Sequence, residues 1–197
     1  MAFFSPASLG FEPKRKFRFL VKFSSFHDES IMAIKCSKPS YELSGVTEHR
    51  VLNHIFKFPG IVKWNDIDIS FIDSAAPDMS SKFWNSLNNS GFVVPDSATA
   101  LTTGITKLGS SISLGTVTIK QLNGGVVAPT GFGDDQGRDV QQTLITDQWT
   151  LKNAFIKSVK WGDLDYSTDD LVNIDVGITY DYALFESYGE TNPLQGI

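Results

Sequence analysis

The chain has 197 residues, of which 41% are hydrophobic and 20% charged, and a formal net charge of −5. That length suits one domain with a core that needs no covalent staples, and the composition is near the globular average. No apolar run approaches the roughly 20 residues of a membrane-spanning helix, and a single cysteine, Cys36, excludes an internal disulfide and a cysteine-based zinc cluster and fits a reducing cytoplasm.

At the start of the chain, "MAFFSPASLGFEPKRK" places its cations after its apolar residues, the reverse of a secretory signal, and reads as a mature end. Residues 17–23, "FRFLVKF", alternate Phe17, Phe19, Val21 and Phe23 against Arg18, Leu20 and Lys22, the period of a half-buried strand. "IMAIKCSKPSYEL" is a second short strand, stopped by Pro39 because proline lacks the ladder donor. Residues 44–60, polar and aromatic and closed by Pro59-Gly60, suit an extended hairpin or arm. A clean strand follows from Trp64 to Asp73, with Ile67, Ile69 and Phe71 on one face and Asp66, Asp68 and Ser70 on the other.

One helix is predicted over about Asp78 to Asn88, where Met79, Phe83 and Leu87 recur every four residues and Trp84 widens the stripe. Asp78 or Ser74 can cap it, and Asn88-Asn89-Ser90-Gly91 stops it. Residues 91–139 then turn rich in Gly, Ser and Thr. Within them "SISLGTVTIKQL" alternates as a strand with a bulge at Gly115, and 123–139 read as a long Gly-rich loop. Residues 142–159 form a β-rich run with a turn at Lys152-Asn153. The last alternation sets Val172, Ile174, Val176, Ile178, Tyr180 and Tyr182 against Asn173, Asp175, Gly177, Thr179 and Asp181. The fold class is therefore mainly β: an antiparallel sandwich or barrel of about seven strands with one flanking helix, in a single domain over 1–197.

Candidate chemistry is sparse. Asp163, Asp165, Asp169 and Asp170 crowd one loop, but without the glycine turn and distal bidentate glutamate of a calcium loop they read as a solvated turn. Asp66 with Asp68, and Asp175 with Asp181, share strand faces; carboxylate pairs do acid–base work only where burial separates their pKa values, which a wet face does not supply. His27 stands alone, and His49 and His54 are five apart, a spacing that serves no shared face. "GFGDDQG" is a lone Gly-x-Gly outside a strand-to-helix context, and no nucleophile elbow occurs. The reading is of a non-enzyme with no catalytic residues, no metal site and no cofactor.

Two wider patterns remain. "VKWNDID" and "VKWGDLD", ninety-seven residues apart, share five of seven letters and read as two strand starts marked by Trp64 and Trp161. Charge is split along the chain: residues 1–63 hold ten Lys and Arg against five Asp and Glu, whereas 134–190 hold twelve acids against four bases. Such a split is either plain surface solvation or the mark of copies that meet head to tail.

Residues 149–186, "WTLKNAFIKSVKWGDLDYSTDDLVNIDVGITYDYALFE", resemble the terminal part of the tail tube proteins of contractile-tailed bacteriophages. The matching positions are Trp149, Leu151, Asn153, Ala154 and Phe155, then Leu164 to Leu171, then Tyr180 and Asp181. Residues 15–90 are similar in layout, while 91–114 stand as an insertion. The resemblance implies a structural virion protein whose hexameric rings stack into a tube, enclosed by tail sheath protein and holding tape measure protein and passing DNA. Baseplate and tail terminator proteins would meet the tube's ends. Assembly would take place in the host cytoplasm with no membrane involved. On this view Asp66, Asp68, Asp175 and Asp181 are candidates for a lumen-facing acidic surface, which would keep DNA phosphate mobile. Glu48, His49, Arg50, His54, Phe56 and Lys57 are candidates for an inter-subunit arm. The alternatives are a baseplate tube initiator, a type VI-like injection tube protein, or, further off, a β-sandwich binding module using loops in 91–139.

Overall fold

The computed structural model describes residues 14–26, 33–76, 78–96, 102, 104–122, 145–167 and 169–188. The predicted loop 123–139 and His27 lie outside the described residues. In chain order the first elements are β1 (Phe19–Phe23), β2 (Ala33–Cys36), β3 (Tyr41–Ser44), β4 (Thr47–Val51), β5 (His54–Phe58), β6 (Ile61–Trp64) and β7 (Ile67–Ile72). Helices α1 (Met79–Asn89) and α2 (Lys107–Leu114) follow, then β8 (Val117–Leu122), β9 (Ile145–Lys152), β10 (Phe155–Trp161), β11 (Asn173–Thr179) and β12 (Tyr182–Ser187). The described strands make two four-stranded antiparallel sheets, ordered β1-β8-β9-β12 and β10-β11-β7-β2, and two ribbons, β3-β6 and β4-β5.

Period-2 alternation builds one core from both sheets. Val21, Phe23, Val117, Ile119 and Leu151 point in from the first, and Ile67, Ile69, Phe71, Ile174, Val176 and Ile178 from the second; all are buried. Helix α1 closes the core as its spacing predicts. The Asp78 side chain accepts the Ser81 N–H at 2.9 Å, capping the first turn. Met79 and Phe83 face inward, and the Phe83 ring lies 5.6 Å from both Phe26 and Phe71 and 6.4 Å from Phe23. Trp84, expected on the buried stripe, is exposed and meets Phe92 instead.

The second half departs from the expected pattern at three places. Ser111 to Leu114 belong to a helix, not a strand. Thr106 caps α2 by accepting the Gly109 N–H at 3.0 Å, Ser110 and Leu114 face inward one turn apart, and Ile112 is exposed. Gly115 is the helix stop rather than a bulge: its φ is +72°, and a Cβ there would sit 2.2 Å from Ser24 Oγ. The long last alternation is also two strands in different sheets. β11 buries Ile174, Val176 and Ile178, the chain turns at Tyr180-Asp181, and β12 joins β9 in the other sheet, leaving Tyr182 exposed. The two VKW strings close β6 and β10 instead of starting strands, so their tryptophans end strands and their aspartates fall differently: Asp68 lies within β7, Asp163 and Asp165 in a loop.

The turn predicted at Lys152-Asn153 is present, with Asn153 at φ +53°, and it carries the chain from one sheet to the other. The Asp181 N–H donates to the Lys152 carbonyl at 3.1 Å, so both sheet-to-sheet corners are bonded together. Replacing Phe71, fully buried between Phe23 and Phe83, by alanine should cost about 3–5 kcal/mol of unfolding free energy, measured by urea denaturation of the monomer. A loss below 1 kcal/mol would contradict this packing.

Candidate functional site

The arm predicted at 44–60 is a long antiparallel hairpin spanning β3 to β6. Its base is the β3-β6 ribbon, in which Tyr41 pairs with Trp64 and Leu43 with Val62. Trp64 roots it: its ring lies 5.5 Å from Tyr41 and 5.9 Å from the buried Tyr180. Between base and tip the backbone turns at Gly45, with φ +73°, against Gly60, where a Cβ would lie 1.8 Å from the Ser44 carbonyl oxygen. Any side chain at position 60 would force this crossing apart.

The tip ribbon sorts its side chains by period. Across β4-β5, Thr47 pairs with Phe58, His49 with Phe56 and Val51 with His54, and alternation puts these six on one face. Glu48 paired with Lys57, and Arg50 with Ile55, occupy the other, with a Glu48–Lys57 ion pair at 3.1 Å. The six arm candidates thus divide: His49, His54 and Phe56 lie on an aromatic face, Glu48, Arg50 and Lys57 on a charged one. The sequence reading named the residues but not this division, which period-2 counting from a known turn would have given.

Every residue of β4 and β5 is exposed, Phe56 and Phe58 included. At the turn Leu52 stands at φ +53° and is 87% exposed, in a conformation that glycine adopts more readily. The Arg50 Nε donates to its carbonyl at 3.2 Å. A bulky apolar residue held in a strained conformation and in water points to a contact made elsewhere.

The four candidate acids do not form one uniform surface. Asp66 accepts from Lys157 Nζ at 2.6 Å and from the Thr179 hydroxyl at 2.9 Å. Asp181 accepts from Lys107 Nζ at 2.8 Å and from Asn153 Nδ2 at 2.9 Å, linking α2 to the two corners. Asp68 and Asp175 lie on the solvent face of the β10-β11-β7-β2 sheet. There Asp175 accepts from the Ser70 hydroxyl and stands in register with Lys160 on one side and Ser70 on the other. Lys35 follows Ser70 in the same row, so that face mixes charges. Among the described residues no group of three or more His, Cys, Asp and Glu is arranged to hold a metal. Burial pushes the Cys36 thiol up to about 12, which leaves it protonated and unreactive.

The described residues thus form a two-sheet β domain with two helices and a projecting hairpin whose aromatic face is exposed. No protein-family model matches the chain, and no curated protein matches it. Solved structures do. A chain of the PVC sheath/tube terminator, an extracellular contractile injection system in its extended state, superposes with a TM-score of 0.60 at 17% identity, over 90% of this chain and 99% of that one. A chain of the PVC sheath-tube complex in the extended state gives 0.58 at 18%, over 93% and 99%. One from the anti-feeding prophage baseplate, 6-fold symmetrised, gives 0.57 at 17%, over 91% and 99%. At such identities the likeness establishes a common fold, and it agrees with the fold implied by the tail-tube resemblance.

Hydrogen bonds from Lys157 and then Thr179 hold the Asp66 carboxyl below its ordinary value. A lowered folded-state value means a contribution present above about pH 4 and lost as pH falls through the lowered value. Asp66→Asn should therefore flatten the acid limb of urea-midpoint against pH by lowering the neutral plateau slightly toward the acid value, a small drop because the pair is exposed to solvent. An unaltered acid limb would remove this carboxylate from the stability balance.

Proposed function

We propose that this chain is the structural subunit of the inner tube of a contractile injection apparatus, its copies forming six-membered rings that stack head to tail. The observation that carries the reading is the arm. An amphipathic hairpin with an unburied aromatic face is a surface made to be covered, and the shared fold comes from sheath-tube, terminator and baseplate assemblies. A second copy of the same chain supplies a cover, because an interface between unlike patches repeats without closing on a dimer. The chain's role is mechanical, not enzymatic.

Within that class the contractile phage tail is the finer assignment, supported by the resemblance of residues 149–186 to tail tube proteins. In such a tail the sheath surrounds the tube, tape measure protein and then DNA occupy it, and terminator and baseplate proteins cap its ends within the virion. The tube initiator of a baseplate, or a type VI-like tube protein, would use the same fold. Copy number per particle separates them: many copies for a tube, a single ring for an initiator.

Negative-stain images of concentrated protein should contain long hollow tubes. Deleting 46–57 removes the tip but keeps the base ribbon and its Trp64 anchor, so a folded monomer should remain that forms no tubes. Polymerisation by the deletion variant would end the arm's part in the reading. We place Asp68 and Asp175 on the tube wall that faces DNA, where acids repel phosphate. Asp68→Lys in a phage carrying this chain should leave tubes intact and slow DNA ejection; ejection at the normal rate would take that sheet face off the lumen.

A further inference from the structure

We infer that a basic groove beside β2 receives the acidic β10–β11 loop of a second copy of this chain. The inference rests on the self-assembly proposed above and names a lateral contact distinct from the arm.

The groove has a volume of about 520 Å³ and lies where β2, an outer strand of one sheet, passes β8 and β9 of the other. Its rim carries five cations, Lys14, Arg15, Lys16, Lys35 and Lys38, all exposed. Its floor is apolar, from Phe19, Ile119 and Trp149. Among the described residues the one acid lining it, Asp147, is 3% exposed. Asp147 Oδ2 accepts from Lys14 Nζ, but Oδ1 has no hydrogen-bond partner among the described residues. A buried carboxylate oxygen left without a donor is destabilising.

These features define the occupant. It must present negative charge to the rim and an apolar group to the floor. A phosphodiester supplies the charge but no apolar side chain for the floor. A polypeptide with acidic and apolar side chains meets both demands.

The chain carries such a segment. The loop 162–172 between β10 and β11 holds Asp163, Asp165, Asp169 and Asp170, and among the described residues none of the four makes an ion pair. Between and beside them Leu164 is 86% exposed, Tyr166 fully exposed and Leu171 69% exposed. Asp165 accepts the Ser167 N–H at 2.9 Å, which shapes the loop at this point. Loop and groove belong to opposite sides of one sheet, since β10 and β2 are the outer strands of the order β10-β11-β7-β2. A copy set beside its neighbour in the same orientation brings the loop of one to the groove of the next, and the contact repeats around a ring. The charge split between the two ends of the chain then has a structural location.

The test uses full-length protein in three variants: Lys35→Glu with Lys38→Glu, Asp163→Lys with Asp170→Lys, and all four changes together. Thermal melts verify folding, and assembly is followed by sedimentation and electron microscopy. Each double variant should need at least about tenfold more protein to assemble than the wild type, because like charges then oppose across the interface. The fourfold swap should recover most of that loss. Double variants that assemble like the wild type, or a folded fourfold variant that does not recover, would overturn the contact while leaving the tube reading in place. If the wild type itself forms no tubes, that reading falls, and a labelled peptide of residues 161–172 decides the groove alone. It should bind wild type and not the Lys35→Glu, Lys38→Glu variant. Equal binding to the two, or a single-stranded oligonucleotide held more tightly than the peptide, would overturn the assignment.

Discussion

The structure depends on four phenylalanine rings. Phe23 comes from β1 in one sheet, Phe71 from β7 in the other, Phe83 from α1, and Phe26 from the loop after β1; their centroids lie 5.2 to 6.4 Å apart in tilted or edge-on pairs. Each such pair contributes about 0.5–1.5 kcal/mol beyond the area it buries. More important is what the rings connect. A sheet, a second sheet and a helix meet at one aromatic junction, so the spacing of the sheets and the seat of α1 are set together. α2 then takes its place on α1, with the Ser86 and Ser113 hydroxyls 3.2 Å apart, and reaches the corner through Lys107 and Asp181.

Against that body the arm is held by very little. Trp64, Tyr41 and Tyr180 form its root, and beyond the Gly45–Gly60 crossing the β4-β5 ribbon is exposed throughout. The body is stabilised by burial, the arm by its own ladder and the surface ion pairs Glu48–Lys57 and Glu42–Lys63. An isolated two-stranded ribbon is marginal in water. Its aromatic face therefore has much to gain from docking.

Much of this was legible in the residues, and the misses share a cause. The α1 helix was readable because a capping aspartate, a four-residue apolar recurrence and an Asn-Asn-Ser-Gly stop agreed. The corner at Lys152-Asn153 was readable because asparagine tolerates positive φ. By contrast, Ser-Ile-Ser-Leu fits a period of two as easily as a helix turn, and Thr106 as a cap was the signal that separated them. The alternation from Val172 to Tyr182 gave no sign of a change of sheet: Tyr182 continues the apolar period in the sequence, yet beyond the Tyr180-Asp181 turn it is exposed and Ala183 packs on the core instead. The acidic candidates were identified by spacing alone, and spacing does not reveal that Lys157 and Lys107 reach two of them from distant elements. The basic groove was beyond sequence reading altogether, being assembled from residues 14–19, 34–38, 119–121 and 147–149.

The exposed tip also bears on timing. In a lone copy Leu52, Phe56 and Phe58 are each more than half exposed to water, and the strained turn gains nothing until a neighbour covers it. In the assembly proposed here, a copy joining an existing end would dock its arm at once, whereas the first few copies would have most of theirs uncovered. Growth from a template is then favoured over spontaneous starts, with a lag that a preformed ring abolishes. On the proposed reading, a tube whose subunits hold back until a platform exists would have its place and polarity set by that platform, and the bare hairpin would be the element that makes them wait.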